Sequence, residues 1–123
     1  MRVERIDPPR EFRAGDVVLA HSANVELSDD EQITLVSESG SEYDIVRKTW
    51  GYYATPSTNR RLAEHGLRAA LTANPDGRVA VLLVERGHEA EFERYLAEQR
   101  MRVLTWLDTD EAAGAAIERL ERR

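Results

Sequence analysis

The chain has 123 residues, 41% of them apolar and 33% charged, a balance that excludes a disordered or fibrous chain and fits one domain over 1–123. It has no Cys, which excludes disulfides, a thiol nucleophile and thiolate metal sites. Its net charge of −6 argues against nucleic-acid or acidic-membrane partners.

The N-terminus, "MRVERIDPPREF", has no apolar core of a signal peptide, and no apolar run approaches membrane-spanning length, so a cytoplasmic location is expected. "VERI" (3–6) reads as a short strand closed by "DPPR", whose prolines forbid a helix. "GDVVLAHS" (15–22) is β-branched and follows a Gly turn, and "ITLVSE" (33–38) is a second such run. "EYDIVRKT" (42–49) is a third, with Tyr43 and Ile45 on one face and Asp44 and Val46 on the other. Residues 1–40 thus read as a small β layer.

A helix is expected next, with Thr55 as N-cap, Pro56 at its first position, Leu62 and Ala63 as a thin apolar stripe, and Gly66 just past its end. "LRAALTA" (67–73), "NPDG" and "RVAVLLVER" (78–86) read as a hairpin. "VAVLLV" is apolar on both faces and is expected to be a central, covered strand. Phe92, Tyr95, Leu96 and Gln99 sit at helical spacing within 87–100, and "MRVLTWL" (101–107) is a strand. Asp108 or Thr109 caps a last helix with the stripe Ala113, Ala116, Ile117 and Leu120.

From residue 42 the order is β-α-β-β-α-β plus one helix. The fold class is therefore α+β, with a ferredoxin-like split βαβ core over about 42–107, an N-terminal β layer and a C-terminal helix. That topology makes "VAVLLV" internal in strand order 4-1-3-2. It leaves one apolar sheet face for the β layer, the last helix or a second copy of the chain to cover.

"TWGYYATPSTNRRL" (49–62) resists explanation as packing. No acidic residue lies between Asp44 and Glu64, yet Arg47, Lys48, Arg60 and Arg61 do. Trp50, Tyr52 and Tyr53 can stack on a sugar or base, and Gly51 allows close backbone approach. Thr55, Ser57, Thr58 and Asn59 supply donors at an expected helix N-terminus, with Lys48 and Arg61 as cations for an anion. The competing explanation is structural: the aromatics plug the end of the sheet and the arginines are solvated helix charges.

Asp44 and His21 are the weak candidates for acid–base chemistry; otherwise Asp44 pairs with Arg47 or Lys48, and His21 is structural. His65 suits a helix C-terminus, and His88 begins the second helix on the surface. The three histidines lack zinc-site spacing, so no metal is expected. There is no Walker loop or G-x-G-x-x-G, and no cofactor is expected.

"EYDIVRKTWGYYATPSTNRRL", with "AALTANPDGRVAVLLVERGHEAEFERYL" after it, resembles a group of small uncharacterised bacterial proteins, a domain of unknown function. They share a W-G-[FY]-Y-A-T-P-S-x-N-x-R-L-like signature, and the resemblance covers about residues 42 to 107. It implies a setting near sugar or secondary metabolism and no catalytic residue. Members have Gly where this chain has Arg60, which favours Arg61 as the functional guanidinium.

The expected function is binding of an anionic or hydroxyl-rich small molecule, such as a phosphorylated sugar or nucleotide sugar, by an enzyme or accessory protein. The alternative is a homodimeric interaction or regulatory module without catalysis. RNA binding ranks last, since "RVAVLLVER" lacks the aromatics that stack bases.

Overall fold

The computed structural model describes residues 1–54 and 57–122. It is an α+β structure built mostly of antiparallel strands and closed by a C-terminal helix. No helix among the described residues is long and apolar enough to cross a membrane. The chain falls into two compact units, Met1–Ile33 with Val46–Tyr53, and Thr34–Ile45 with Ala54–Arg123.

The first unit holds a long ribbon. Strands β1 (Arg2–Ala14) and β2 (Val17–Glu26) pair antiparallel, with Ala14 opposite Val17 and Gly15-Asp16 as the turn. Gly15 takes φ +62, the conformation favoured at the first position of a tight hairpin turn. The strand does not end at the prolines, as the sequence suggested. The ladder runs to Arg5–Ala23 and resumes at Arg10–His21, so residues 6–9 face Ser22 alone. Pro8 and Pro9 thus sit in a bulge that asks no ladder bond of them.

Strand β3 (Gln32–Val36) neighbours β4 (Glu42–Lys48), which neighbours β5 (Gly51–Tyr53). The boundary between the two units cuts through β3 and β4. β5 falls within the stretch whose sequence presents as a loop. Lys48 pairs with Gly51 and Val46 with Tyr53, so Thr49 and Trp50 form the hairpin tip.

The second unit is organised by β6 (Leu67–Ala73), with β7 (Val79–Glu85) and β8 (Arg102–Trp106) antiparallel on either side. The ferredoxin-like strand order is therefore not found: β4 belongs to another sheet, and the internal strand is β6 rather than β7. Apolarity misled here because β6 reaches burial with small residues. Ala69, Ala70, Thr72 and Ala73 are all buried, and small side chains let elements approach a strand closely from both faces. In β7, by contrast, Val79 and Val81 are exposed.

Strand alternation puts Leu67, Ala69, Leu71, Val79, Val81 and Leu83 on one face of this sheet. There Leu62 joins Leu67 and Ala69 in a core completed by Tyr43, Leu83 and Leu107. Burying a leucine such as Leu62, 1% exposed, contributes about 1.5–3 kcal/mol. The opposite face carries Trp106, met edge-on by Phe92 of α2 (Glu89–Gln99) at 5.8 Å, and Leu96 of the same helix is buried. Helix α3 (Asp110–Glu121) starts where expected, with the Thr109 hydroxyl accepting from the Ala112 N–H at 3.1 Å. Its expected stripe is only partly covered: Ile117 and Leu120 are exposed.

The expected helix over 55–66 shrinks to one turn, α1 (Arg61–Glu64), while Thr55 and Pro56 lie outside the described residues. Its end is as read. Gly66 takes φ +89, and a Cβ there would meet the Ser41 hydroxyl at 2.9 Å. Gly77 has a similar φ of +82, with open space around it. Gly77→Ala is expected to cost about 1–2 kcal/mol through backbone strain alone. Gly66→Ala is expected to cost more, with the excess removed in Gly66→Ala/Ser41→Gly; denaturant melts of the four proteins check this.

Candidate functional site

The residues singled out in 48–62 divide between the two units, and each group has its own surroundings. In the first unit, the turn of the β4–β5 hairpin projects Trp50 at 69% exposure, with Tyr52 at 61% and Tyr53 at 46%. These aromatics do not plug a sheet end. The hairpin is held by Arg47, whose guanidinium donates to the carbonyls of Lys48 and Gly51 and lies 5.2 Å from the Tyr52 ring centre. Lys48 is not open for an anion: its Nζ lies 2.6 Å from Asp30 Oδ1.

Beside Tyr52 is a cleft of about 470 Å³ lined by Arg2, Glu4, Asn24, Glu26, Arg47 and Tyr52. Arg2 lies 3.3 Å from Glu4 and 3.9 Å from Glu26, so the cleft carries both charges and several donors and acceptors. Its size is in the range of small-molecule sites, about 300–1,000 Å³. His21 is elsewhere in this unit. Its Nε2 donates to the Ala23 carbonyl at 3.1 Å, a local bond that suits a structural histidine.

In the second unit the polar residues are engaged with the fold. Ser57 takes the N–H groups at the start of α1: its carbonyl accepts from Arg60 and Leu62, and its hydroxyl from Arg61 at 3.1 Å. Those groups were the expected anion cradle. A single helical turn, with its first N–H groups already bonded, has no such cradle to offer. The Thr58 hydroxyl donates to the Leu107 carbonyl at 2.8 Å, and Asn59 to Asp110 at 2.9 Å. Arg60 also binds Asp110, whose carboxyl is held below its ordinary range by that guanidinium and then by Asn59.

The organising group is Asp44. Its side chain is buried, and its partner is Arg61 rather than Arg47 or Lys48. Arg61 Nε donates to Oδ2 at 2.7 Å, and Thr34 Oγ1 donates to Oδ1 at 2.8 Å. The Arg61 bond, then the Thr34 bond, holds the Asp44 pKa below its ordinary 3.8. A carboxylate so stabilised is a weak base. Arg61 Nη1 also meets His65 Nε2 at 2.5 Å, and His65 Nδ1 lies 3.1 Å from Glu42 Oε2. A guanidinium only donates, so Nε2 accepts and the imidazole proton sits on Nδ1, donated to Glu42. The result is a chain Thr34–Asp44–Arg61–His65–Glu42 with every link made.

A second buried pair escaped the sequence reading. Arg68 Nε lies 2.8 Å from Asp108 Oδ2, and its guanidinium stacks 3.9 Å from the Trp106 ring centre. Glu89 adds a contact at 3.4 Å. Asp108 Oδ1 is buried with no hydrogen-bond partner among the described residues. The available signal was a lone Arg inside the apolar run "LRAALTA". His88 is exposed at the start of α2, as expected, beside Glu91. Among the described residues no three His, Asp or Glu side chains converge as a metal site needs.

Compared with protein-family models, curated proteins and solved structures, the chain matches none.

Asp44→Asn is expected to lower stability at neutral pH by about 1.5–3 kcal/mol, the range for a charged hydrogen bond. The folded-state pKa is depressed, so the contribution is complete above about pH 5. It is lost as the pH falls below the ordinary 3.8 toward the folded value. Melts from pH 7 to pH 2 should therefore converge for wild type and Asp44→Asn at the acid end. Arg68→Ala strands the buried Asp108 and should cost about 3–5 kcal/mol, partly recovered in Arg68→Ala/Asp108→Ala; denaturant melts measure both.

Proposed function

We propose that the protein binds a hydroxyl-rich, sugar-like small molecule on the aromatic hairpin at 49–53 and the cleft beside it. The observation that carries this reading is the exposure of Trp50, Tyr52 and Tyr53 together on one short hairpin. These side chains leave apolar ring surface in water while keeping polar edges available, with Arg47 over the Tyr52 ring and Tyr53 on the opposite face of the strand, and exposed rings are what proteins stack on the faces of sugars.

The cleft supports the same class. Arg2 and Arg47, Glu4 and Glu26, Asn24 and Tyr52 all line it. Such a mixed lining offers donors and acceptors to hydroxyl groups in equal measure. An anion gains less, because Lys48, Arg2 and Arg61 are already answered by Asp30, Glu4 and Asp44, and Arg47 donates to the carbonyls of Lys48 and Gly51. The phosphorylated form of the ligand therefore has weaker support than the neutral one. Ser57, Thr58, Asn59 and Arg61 act in this reading as supports of the fold around Asp44. Thr55 lies outside the described residues.

The reading predicts binding without chemistry at the hairpin itself. Titration calorimetry with maltotriose, glucose 1-phosphate and UDP-glucose tests it. Binding of the neutral sugar is expected, with Trp50→Ala and Tyr52→Ala each weakening it by about 0.5–1.5 kcal/mol. Their melting temperatures should stay near wild type, since the exposed rings contribute little packing. No heat with any of the three, or affinities indifferent to both substitutions, would remove the hairpin as a ligand site.

A further inference from the structure

We propose that the cleft between β8 and α3 binds a small apolar carboxylate, a medium-chain fatty acid, with Arg119 holding the carboxylate. The proposal concerns the second unit alone and does not rest on the ligand reading above.

The cleft measures about 440 Å³, within the range of about 300–1,000 Å³ for small-molecule sites. Its sheet side carries Leu71, Leu104 and Leu107. Leu71 lies opposite Thr105 and Thr72 opposite Val103, so Leu104 is the extra residue of a bulge. A bulge re-aims side chains, and here Leu104 and Thr105, neighbours in the strand, both line the cleft. Its helix side carries Ala112, Ala116 and Leu120, four residues apart and so on one face of α3. Two of these three are alanines, whose short side chains leave open the space that larger ones would fill.

An apolar cleft alone does not choose its occupant; the charge on its lining does. Two polar side chains belong to that lining, Thr105 and Arg119. The Thr105 hydroxyl donates to the Trp106 carbonyl at 3.1 Å, so its proton is spent. Arg119 is exposed, and no ion pair or hydrogen bond engages it among the described residues. Its helical neighbours at 115, 116, 122 and 123 are alanines and arginines, so no carboxylate stands in reach along the helix. The carbonyl end of the helix offsets only about half a unit of its charge.

An open guanidinium at the rim of an apolar cleft is complementary to a molecule with an anion at one end and a hydrocarbon chain at the other. A guanidinium takes a carboxylate through two parallel N–H···O bonds. Ala112 and Arg119 mark the two ends of the helix side. They are seven residues apart, about 10 Å along the axis, which an extended chain of about eight carbons spans.

Titration calorimetry of the full chain with hexanoate, octanoate, 1-octanol and octylamine at neutral pH tests this. Octanoate is expected to bind about fifteenfold tighter than hexanoate, since each of the two added methylenes contributes roughly fourfold. It should bind about fivefold tighter than 1-octanol, the upper end for an ion pair partly in water, with octylamine weakest. Arg119→Gln should remove the difference between octanoate and 1-octanol and leave 1-octanol binding unchanged. Ala116→Leu should abolish both by occupying the cleft. No binding of octanoate at about 5 mM overturns the proposal. So does an octanoate preference that survives Arg119→Gln, or full octanoate binding in Ala116→Leu. Arg119→Gln, at an exposed position, keeps the test decisive if Ala116→Leu does not fold. Sedimentation equilibrium addresses the other occupant: a species of twice 14.0 kDa that Ala116→Leu dissociates and octanoate does not would put a second copy in the cleft and overturn the proposal.

Discussion

The second unit depends on how a buried carboxylate is answered. Asp44 sits in a strand of an acidic chain, where burial of an unpaired charge would cost several kcal/mol. Thr34 reaches it from β3 and Arg61 from α1, so one side chain fixes two strands and a helical turn. The backbone follows the same path. The Glu42 N–H donates to the His65 carbonyl, and the Arg86 N–H to the Gly66 carbonyl. Gly66 must be a glycine because the chain turns there at positive φ against Ser41. Leu62, one residue after Arg61, then falls into the core with Leu67 and Ala69.

That constraint decides what the polar stretch can do. A guanidinium bonded through Nε to a buried carboxylate and through Nη1 to an imidazole is held rigidly, and its charge is neutralised. Serving an incoming anion would require breaking a bond that the fold uses. The three aromatic side chains of the β4–β5 hairpin have no such duty. Arg47 braces the hairpin from behind its backbone and beneath one ring, so the rings are presented by a rigid support instead of a loose loop. A preorganised aromatic surface loses little freedom on binding.

Much of this was legible in the sequence, and what failed did so for physical reasons. Gly66 was legible because a left-handed turn demands particular chemistry, and of the two caps offered for the last helix, Asp108 or Thr109, it is the Thr109 hydroxyl that accepts. The hairpin 67–86 was legible from its turn residues. β7 was misplaced because an apolar strand looks the same whether a neighbour covers it or its edge is bare. β6 was underrated because alanine contributes little to apolarity yet packs most closely. β5 was hidden by its three-residue length and by the proline that follows soon after it. The Arg61–Asp44 and Arg68–Asp108 pairs span 17 and 40 residues, distances at which only tertiary structure selects partners.

The two buried pairs differ in a way that bears on where binding belongs. Both oxygens of Asp44 are satisfied, and its arginine remains partly in water. Asp108 is more deeply enclosed and keeps one oxygen without a partner, while its arginine is sandwiched against Trp106. An unsatisfied buried acceptor costs about 1–3 kcal/mol, which the stacked, doubly paired Arg68 offsets by binding the other oxygen. Neither carboxylate opens to solvent: Asp44 is buried with a bond to each oxygen, and Asp108 is buried too. The β4–β5 hairpin, by contrast, carries side chains that are both exposed and braced by Arg47.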